Sequence, residues 1–290
     1  MKGKEGETMQ EQNTAERALI ERAASGDRQA MEALLEGAQD TVFNLSLRML
    51  GTVPDAEDAT QDILIRIMTK LSTFRFESAF STWVYRLAVN YLIDYKKSMF
   101  AQHPLDFDFY ANDLKAGYVE ATEELCMGVS KDALSEELKL SCSNVMLQCL
   151  DPAARCVFIL GAMFKADSRL AGEILQITPE AYRQRLSRAR KRMAGFLTQH
   201  CGLAGADGCA CERRVGYAIT QRRISPGRLE FSRLEPGSRA ALLRCAENME
   251  ALEELADVFA QLPVYRSPVS AKAFLHKLLE SPRIKEIQGL

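Results

Sequence analysis

The sequence has only three histidines and one tryptophan among its 290 residues. It also lacks a phosphate-binding glycine loop, a G-x-S-x-G nucleophile elbow and an H-E-x-x-H zinc signature. In large classes of enzymes these patterns supply the phosphate cradle, the nucleophile or the metal. Their absence argues against catalysis, and we expect no catalytic residue and no cofactor.

The sequence contains no apolar run of the roughly 18 residues that a membrane-spanning helix needs. Its first residues are polar and lack the apolar core of a signal peptide. We therefore expect a cytoplasmic protein with no membrane partner. In a reducing compartment its eight cysteines are expected to stay reduced or to bind something, rather than to form a disulfide framework.

The Asn-Gly pair typical of β-hairpins is absent, and apolar residues recur at helical spacing along most of the chain. The sequence therefore predicts an all-α fold with two helical domains, a linker between them and a helical C-terminal extension. Residues 98–131, which are acidic, aromatic and without a clear period, form the predicted linker. The expected helices are one from Thr14 to Gly26, one after the N-cap Asp27, others over residues 39–50, 56–71 and 82–97, two starting near Asp132 and Asp151, and two over residues 238–259 and 270–280.

Residues 178–193 read TPEAYRQRLSRARKRM, and six of the ten residues from Arg183 to Arg192 are basic. The net charge is only −2, so any surface that binds an anion must be local. Thr178 and Pro179 are typical of the N-cap and the first position of a helix. On that helix one stripe is apolar, and the opposite face carries cations and hydrogen-bonding groups. This second face consists of Arg183, Gln184, Ser187, Arg188 and Lys191.

A short predicted helix over residues 168–175 and a tight turn at Gln176-Ile177 precede this basic helix. The spacing is typical of a helix-turn-helix, whose second helix enters the DNA major groove. Arginine can read guanine edges there, while the later cations suit phosphates. The alternative interpretation is the solvated basic face of a bundle helix.

Two stretches nearer the N-terminus add to this pattern. Acidic residues crowd the first turns of the helix predicted over residues 56–71, where the helix dipole favours them. The alternative interpretation is that they serve only to cap this helix. Residues 73–97 place aromatic and basic side chains before a helix with Arg86, Asn90 and Lys97 on one stripe. Aromatics beside cations suit an unpaired DNA base. The alternative is a core aromatic cluster, and we expect Trp83 in the core.

Together these stretches resemble bacterial RNA polymerase sigma factors of the extracytoplasmic-function (ECF) type, which have only regions 2 and 4 of the sigma-70 superfamily. GDRQAMEALLEGAQDTVFNLSLRMLGTVPDAEDATQDILIRI is similar to regions 2.1 and 2.2, and FRFESAFSTWVYRLAVNYLID to regions 2.3 and 2.4. LDPAARCVFILGAMFKADSRLAGEILQITPEAYRQRLSRARKRM is similar to region 4. We accordingly divide the chain into a disordered N-terminus over residues 1–13, region 2 over residues 14–98, a linker over residues 99–131, region 4 over residues 132–199 and an extension over residues 200–290.

The resemblance implies a sigma factor that binds core RNA polymerase, through its β′ clamp helices and β flap, and promoter DNA. It also makes an anti-sigma factor a candidate partner. Asp58, Gln61 and Asp62 match the polar motif that docks on the clamp helices. Region 4 positions that contact the −35 element match Arg183, Gln184, Ser187 and Arg188, and Lys191 lies on the same face.

The resemblance further implies a loop that captures a flipped base of the −10 element's non-template strand. Residues of this loop are Phe74, Arg75, Phe76, Glu77, Ser78 and Phe80. Asn90 matches a residue near the pocket, and Arg86 and Lys97 share its predicted stripe. Two features depart from the family pattern. Phe76 stands where the loop usually has glycine, and the region 4 helix begins Pro-Glu-Ala-Tyr rather than Gly-Thr-Val.

The extension begins with a group of potential zinc ligands, His200, Cys201, Cys209 and Cys211. The C-x7-C-x-C spacing is not a familiar zinc pattern, so metal binding or redox sensing stays an alternative to inert, reduced thiols. We expect the remaining cysteines to be small core residues: Cys126, Cys142, Cys149, Cys156 and Cys245.

Beyond the cysteines, a strongly amphipathic set of apolar residues follows between residues 242 and 259 and must pack on something. Our hypothesis is that the extension folds back on region 2 or region 4 and regulates access to polymerase or DNA. Two other functions stay open. One is a stand-alone helix-turn-helix regulator with a C-terminal sensor domain, which would need neither the Asp58–Gln61 patch nor the aromatic loop. The other is a protein-only docking module without DNA affinity.

Overall fold

A computed structural model describes residues 14–116, 118–204, 208–238 and 257–279 of the protein. Over these ranges the chain forms helices joined by turns, and its only β-type pairings are two isolated bridges. The all-α fold class predicted from the sequence is confirmed.

The helices are numbered along the chain. A 3-10 turn, Leu71–Thr73, follows α3, and a π-helical turn, Ile159–Met163, follows α9. The helices are α1 (residues 14–24), α2 (Arg28–Leu50), α3 (Val53–Lys70), α4 (Phe80–Ile93), α5 (Met99–Gln102), α6 (Phe107–Lys115), α7 (Glu123–Cys126), α8 (Lys131–Gln148), α9 (Pro152–Phe158), α10 (Ser168–Leu175), α11 (Pro179–His200), α12 (Cys211–Thr220), α13 (Asp257–Ala260) and α14 (Ala271–Leu279).

Helix α2 runs unbroken from Arg28 to Leu50, so the separate helix predicted over residues 39–50 is wrong. The N-cap prediction is confirmed, because the Asp27 carboxylate accepts hydrogen bonds from the backbone N–H groups of Gln29 and Ala30. Every residue from position 42 to Leu50 is buried. The predicted break lies before residue 39, beside Gly37, where the low helix propensity of glycine is outweighed by the tertiary burial of the residues that follow.

The segments predicted as region 2 and region 4 pack into one body. Helices α2, α3 and α4 contact one another, α11 contacts both α9 and α10, and α4 also contacts both α9 and α10. The buried residues of both groups belong to one hydrophobic core. At the seam the ring of Tyr85 on α4 meets the ring of Phe164 edge-on, with centroids 6.4 Å apart.

The segment predicted as a linker carries the short helices α5, α6 and α7. Tyr110 of α6 is buried and stacks on Phe196 of α11 with ring centroids 5.8 Å apart. Phe107 contacts the same ring at 5.1 Å. Aromatic packing therefore holds α6 against region 4, instead of leaving the segment as a free tether.

The extension folds back on both regions, beginning with α12, which packs against α8. Arg214 donates to the backbone carbonyl oxygens of Asp113 and Leu114 at 2.9 and 2.8 Å. A side chain at Gly216 would bring its Cβ within 2.2 Å of the carbonyl oxygen of Val119. Glycine is needed there because α12 lies directly on the linker backbone.

A buried carboxylate holds the next part of the extension. Glu137 of α8 is only 2% exposed. Its oxygens accept hydrogen bonds from the backbone N–H groups of Glu230, Phe231 and Ser232 at 2.6, 2.9 and 3.0 Å, and from the Ser232 hydroxyl at 2.8 Å. These donors replace the water that burial removes, so the charge can be accommodated.

The last described part of the extension lies on α2. The Asn44 side chain donates to the carbonyl oxygen of Tyr265 at 2.7 Å and accepts from its backbone N–H at 3.0 Å. Of the helix predicted over residues 238–259, only α13 lies within the described residues, whereas the helix predicted over residues 270–280 is confirmed as α14. Other α2 side chains that bind the backbone of residues 263–271 are Gln39, Asp40 and Arg48.

Arg155 joins the end of α2 to the α8–α9 junction. The side chain is buried and donates to the carbonyl oxygens of Leu147, Gln148 and Leu150. It also reaches Met49 of α2, whose carbonyl oxygen lies 2.5 Å from Nη1. These carbonyls lie near helix ends, where intrahelical partners run out.

Substituting Arg155→Lys should lower the free energy of unfolding by about 3 kcal/mol, because lysine cannot reach all these carbonyls and leaves some of them buried without a partner. The midpoint of urea denaturation measures the change. Arg213→Lys, at an exposed position of α12, is the matched control and should shift stability by less than about 0.5 kcal/mol. Equal midpoints for the two variants would contradict the role given to Arg155.

Candidate nucleic-acid and polymerase interfaces

The basic face of α11 has the geometry expected from the sequence. Tyr182, Leu186 and Ala189 are buried, as are Met193 and Leu197 further along the same stripe. The predicted DNA-facing residues are all exposed: Arg183, Gln184, Ser187, Arg188 and Lys191. The helix therefore packs through one face and presents cations on the other.

A tight turn sets α11 against α10. Gln176 ends α10 in a left-handed conformation, with φ 55°. Thr178 then caps α11 by accepting a hydrogen bond from the N–H of Ala181 at 3.1 Å. A Cβ at Gly172 would lie 2.8 Å from the carbonyl oxygen of Ile177. Glycine at this position thus permits the close crossing, and the arrangement is a helix-turn-helix.

The predicted base-capture loop is built on an aromatic cluster. The ring of Phe74 lies 4.8 Å from Phe76, 5.7 Å from Phe80 and 5.5 Å from Trp83. Trp83 is only partly buried, so its expected place in the core is corrected to a place at the core's edge. Its ring packs on Phe74 and Phe80, with centroids 5.5 and 5.8 Å away, but the residue stays partly accessible to solvent.

Phe76 occupies a backbone conformation that favours glycine. Its φ is +58°, in the left-handed region, which costs a residue with a side chain about 1 kcal/mol or more. This is the position where the family pattern has glycine. The guanidinium of Arg17 on α1 lies over the Phe76 ring, 4.6 Å from its centroid, and so covers one face of a ring that is 37% exposed.

The stripe predicted from Arg86 through Asn90 to Lys97 is only partly present. Arg86 and Asn90 lie on α4, but the helix ends at Ile93, so Lys97 lies outside it. Lys97 instead lies 3.8 Å from the carboxylate of Asp62. Asn90 is exposed. The prediction of one continuous stripe is wrong because the helix was predicted to continue to residue 97, whereas α4 ends at Ile93.

Arg86 faces region 4 in this structure. Its guanidinium lies 3.6 Å from the carboxylate of Glu173 on α10 and donates to the carbonyl oxygen of the same residue at 3.3 Å. Sequence reasoning missed this pair because the two residues are 87 positions apart and no local pattern connects them.

The predicted polymerase-binding patch lies on α3. Asp58 is exposed, whereas Gln61 and Asp62 are half-buried. The hydroxyl of Tyr91 donates to the Asp62 carboxylate. Burial, together with this bond and the charge of Asp62, raises the pKa of Tyr91 above its usual range. Tyr91 was not singled out by the sequence, although it fixes the orientation of a predicted docking residue.

The extension reaches the neighbourhood of this patch. The guanidinium of Arg233 lies 3.1 Å from the carboxylate of Glu57, the residue before Asp58. Helix α14 contacts both α2 and α3. A segment far along the chain therefore lies beside the surface that the sequence assigns to polymerase.

Of the cysteines expected in the core, Cys126, Cys149 and Cys156 are buried and Cys142 is partly exposed. Cys245 lies outside the described residues. The His200 ring packs on Phe196 with centroids 5.0 Å apart. Where the chain is described, no helix is both long and apolar enough to cross a membrane.

Comparison with known proteins agrees with this architecture. The sequence pattern of sigma-70 region 2 matches residues 34–99. The ECF RNA polymerase sigma factor SigW of Bacillus subtilis is 30% identical over 182 residues, which cover 60% of this chain and 92% of SigW. The ECF RNA polymerase sigma-E factor of Haemophilus influenzae is 36% identical over 105 residues, 36% of this chain and 54% of that protein.

Among solved structures, that of CnrH in complex with the cytosolic domain of CnrY is similar to this chain with a TM-score of 0.46 and 21% identity. The match covers 64% of this chain and 98% of that one.

The helix-turn-helix with its basic face, joined to a helical region 2, defines a DNA-binding protein of transcription initiation. Within that class the chain belongs to the ECF RNA polymerase sigma factors of the sigma-70 family. Its relatives are sigma factors, which bind core RNA polymerase and DNA and are not themselves enzymes.

The free energy of unfolding should be about 1 kcal/mol higher for Phe76→Gly than for Phe76→Ala, because both variants remove the ring but only glycine relieves the left-handed strain. Urea denaturation measures this difference as a higher midpoint for the glycine variant. Arg75, whose φ is not positive, supplies the control pair. There the order should reverse, with Arg75→Ala more stable than Arg75→Gly. If alanine were the better residue at both positions, the strain at Phe76 would be refuted.

Proposed function

We propose that the protein opens promoters through two DNA surfaces of different chemistry. The aromatic loop around Phe74 and Phe80 captures a base flipped from the −10 element, with Asn90 near the pocket. Stacking on aromatic rings, worth about 1–3 kcal/mol per base, offsets the few kcal/mol needed to unpair and unstack it. No covalent chemistry by the protein is required.

Region 4 reads the −35 element as duplex DNA in this proposal. The supporting observation is the exposed basic face of α11, which follows a short helix and a glycine-permitted turn. The first exposed side chains, Arg183 and Gln184, suit base edges in the major groove, and Arg188 and Lys191 suit phosphates. On α3, Asp58, Gln61 and Asp62 form the docking patch for the β′ clamp helices of core polymerase.

Purified core polymerase and this protein should together open a cognate promoter, seen as permanganate-reactive thymines in the −10 element. Arg188→Ala should weaken promoter binding. The fall of log affinity with log salt should also become less steep by about one, the amount that one lost phosphate contact predicts. Arg213→Ala, which removes an exposed arginine from α12, is the control and should leave the slope unchanged. If the protein bound duplex DNA equally well without polymerase and opened none, it would be a stand-alone helix-turn-helix regulator instead.

The arrangement of the two regions supports a second part of the proposal, that this is a closed state. The names of the −10 and −35 elements put them about 25 base pairs apart, or about 85 Å at 3.4 Å per base pair. A compact chain of this length has a radius of gyration of only about 19 Å. With Arg86 held at Glu173, the two DNA surfaces cannot lie on both elements at once. Binding to a promoter therefore requires region 4 to leave region 2.

We further propose that the extension favours this closed state and so regulates the protein. The extension is bound to region 4 through Glu137, to α2 through Asn44, and to α3 through the Arg233–Glu57 pair. One segment that contacts both regions stabilises the state in which they are together. A ligand or polymerase surface that displaces it shifts the equilibrium toward the open state.

Tyr265→Pro should raise the affinity for core polymerase and the yield of open promoter about tenfold. Proline cannot donate the backbone hydrogen bond to Asn44 and removes a buried ring, and losing about 1.4 kcal/mol of closed-state stability corresponds to a factor of ten. Arg266→Ala, an exposed neighbour, is the control. Unchanged affinity and unchanged transcription for the proline variant would rule out the regulatory role while leaving the sigma activity intact.

A further inference from the structure

Four cysteines from three separate parts of the chain converge where the extension joins region 4. Cys142 belongs to α8, Cys201 follows the last residue of α11, Cys209 lies before α12, and Cys211 is the first residue of α12. Every pair among these thiols is close enough to interact electrostatically. The sequence grouped only the last three, together with His200.

The register of α8 against α12 explains how Cys142 joins the group. Leu138 of α8 and Val215 of α12 belong to one small hydrophobic cluster. Cys142 is one helical turn after Leu138, and Cys211 is one turn before Val215, so each lies on the same face as its neighbour. The packing that buries the two apolar residues therefore also brings the two cysteines to the same end of the helix pair.

A close crossing of two backbone segments brings Cys201 and Cys209 together. Cys201 and Cys209 form an isolated β-bridge. The N–H of Cys209 donates to the carbonyl oxygen of His200, and the N–H of Gly202 donates to the carbonyl oxygen of Cys209, both at 3.0 Å. A Cβ at Gly208 would lie 2.3 Å from the carbonyl carbon of Cys201, so the crossing needs glycine.

We propose that Cys142, Cys201, Cys209 and Cys211 are the ligands of a structural Zn²⁺ ion that fastens the extension to region 4. Four thiolates make a closed tetrahedral site, which is typical of structural zinc and leaves no position for catalysis. His200 is not part of the set, because its ring packs on Phe196. The site would link α8, the end of α11 and the start of α12 with one ion.

The sulfurs have to turn to make this site. In the described part of the chain, no group of three or more Cys, His, Asp or Glu side chains stands ready to hold a metal ion. Cys142 Sγ instead pairs with the Tyr110 hydroxyl at 2.9 Å. Each sulfur is separated from the backbone by a single rotatable bond, so a change of rotamer redirects it without moving a helix. Binding then exchanges thiol protons for the ion.

The test is the zinc content of the full-length protein, purified under reducing conditions with zinc present and then dialysed. We expect about one zinc per chain, and cobalt substitution should give the intense thiolate-to-cobalt absorption of a tetrahedral sulfur site. Cys142→Ala should weaken zinc affinity at least about 100-fold. Cys149→Ala, at a buried cysteine outside the group, is the matched control and should bind zinc like the unaltered protein.

Several results would overturn the proposal. One is a protein that retains no zinc and gives no thiolate–cobalt band. Another is a disulfide between any two of the four cysteines as the stable form under the same reducing conditions. A third is full zinc binding by Cys142→Ala, which would remove this ligand from the set. If that variant does not fold, X-ray absorption of the zinc protein decides, since four sulfur neighbours are required. None of these measurements depends on transcription, so their failure is separate from failure of the sigma activity.

Discussion

A buried guanidinium lies at the centre of the contact between the two predicted regions. Arg155 is surrounded by carbonyl oxygens from α2 and from the α8–α9 junction. These oxygens lie near helix ends, and each one left buried without a donor would cost about 1–3 kcal/mol. The Leu147 oxygen also accepts the backbone N–H of Leu150. Because one oxygen belongs to region 2 and the others to region 4, the side chain satisfies both regions only while they are in contact.

Polar side chains that bind the backbone of a distant segment also hold the extension on the rest of the protein. The side chains of Glu137 on α8 and Asn44 on α2 bind the backbone of the extension. In the opposite direction, Arg214 of the extension binds the backbone of α6. Apolar contacts alone would allow a helix to slide or rotate on its neighbour. Directional bonds to main-chain atoms fix one register, which makes the docked position of the extension specific.

The contact between the two regions has a weak side and a strong side. On the weak side lie a half-exposed ion pair, Arg86 with Glu173, and the aromatic edge contact at Phe164. Exposed ion pairs contribute only up to about 1 kcal/mol. On the strong side the contacts between α2 and α8 are buried, and Arg48 donates to the Asn144 side chain at 2.7 Å. In the opening that we propose, a partner has to offset these buried contacts as well as the ion pair.

The sequence by itself determined the local features. Thr178, Pro179 and the stripe from Tyr182 to Leu197 predicted the start, the buried face and the basic face of α11, because caps and helical periods act within a few residues. Tertiary structure decided the rest. The continuity of α2, the pairing of Arg86 with Glu173 and the gathering of Cys142 with the tail cysteines all join positions far apart in the chain. Their energies come from burial and directional bonds that exist only after the chain has folded, so no local pattern of residues records them.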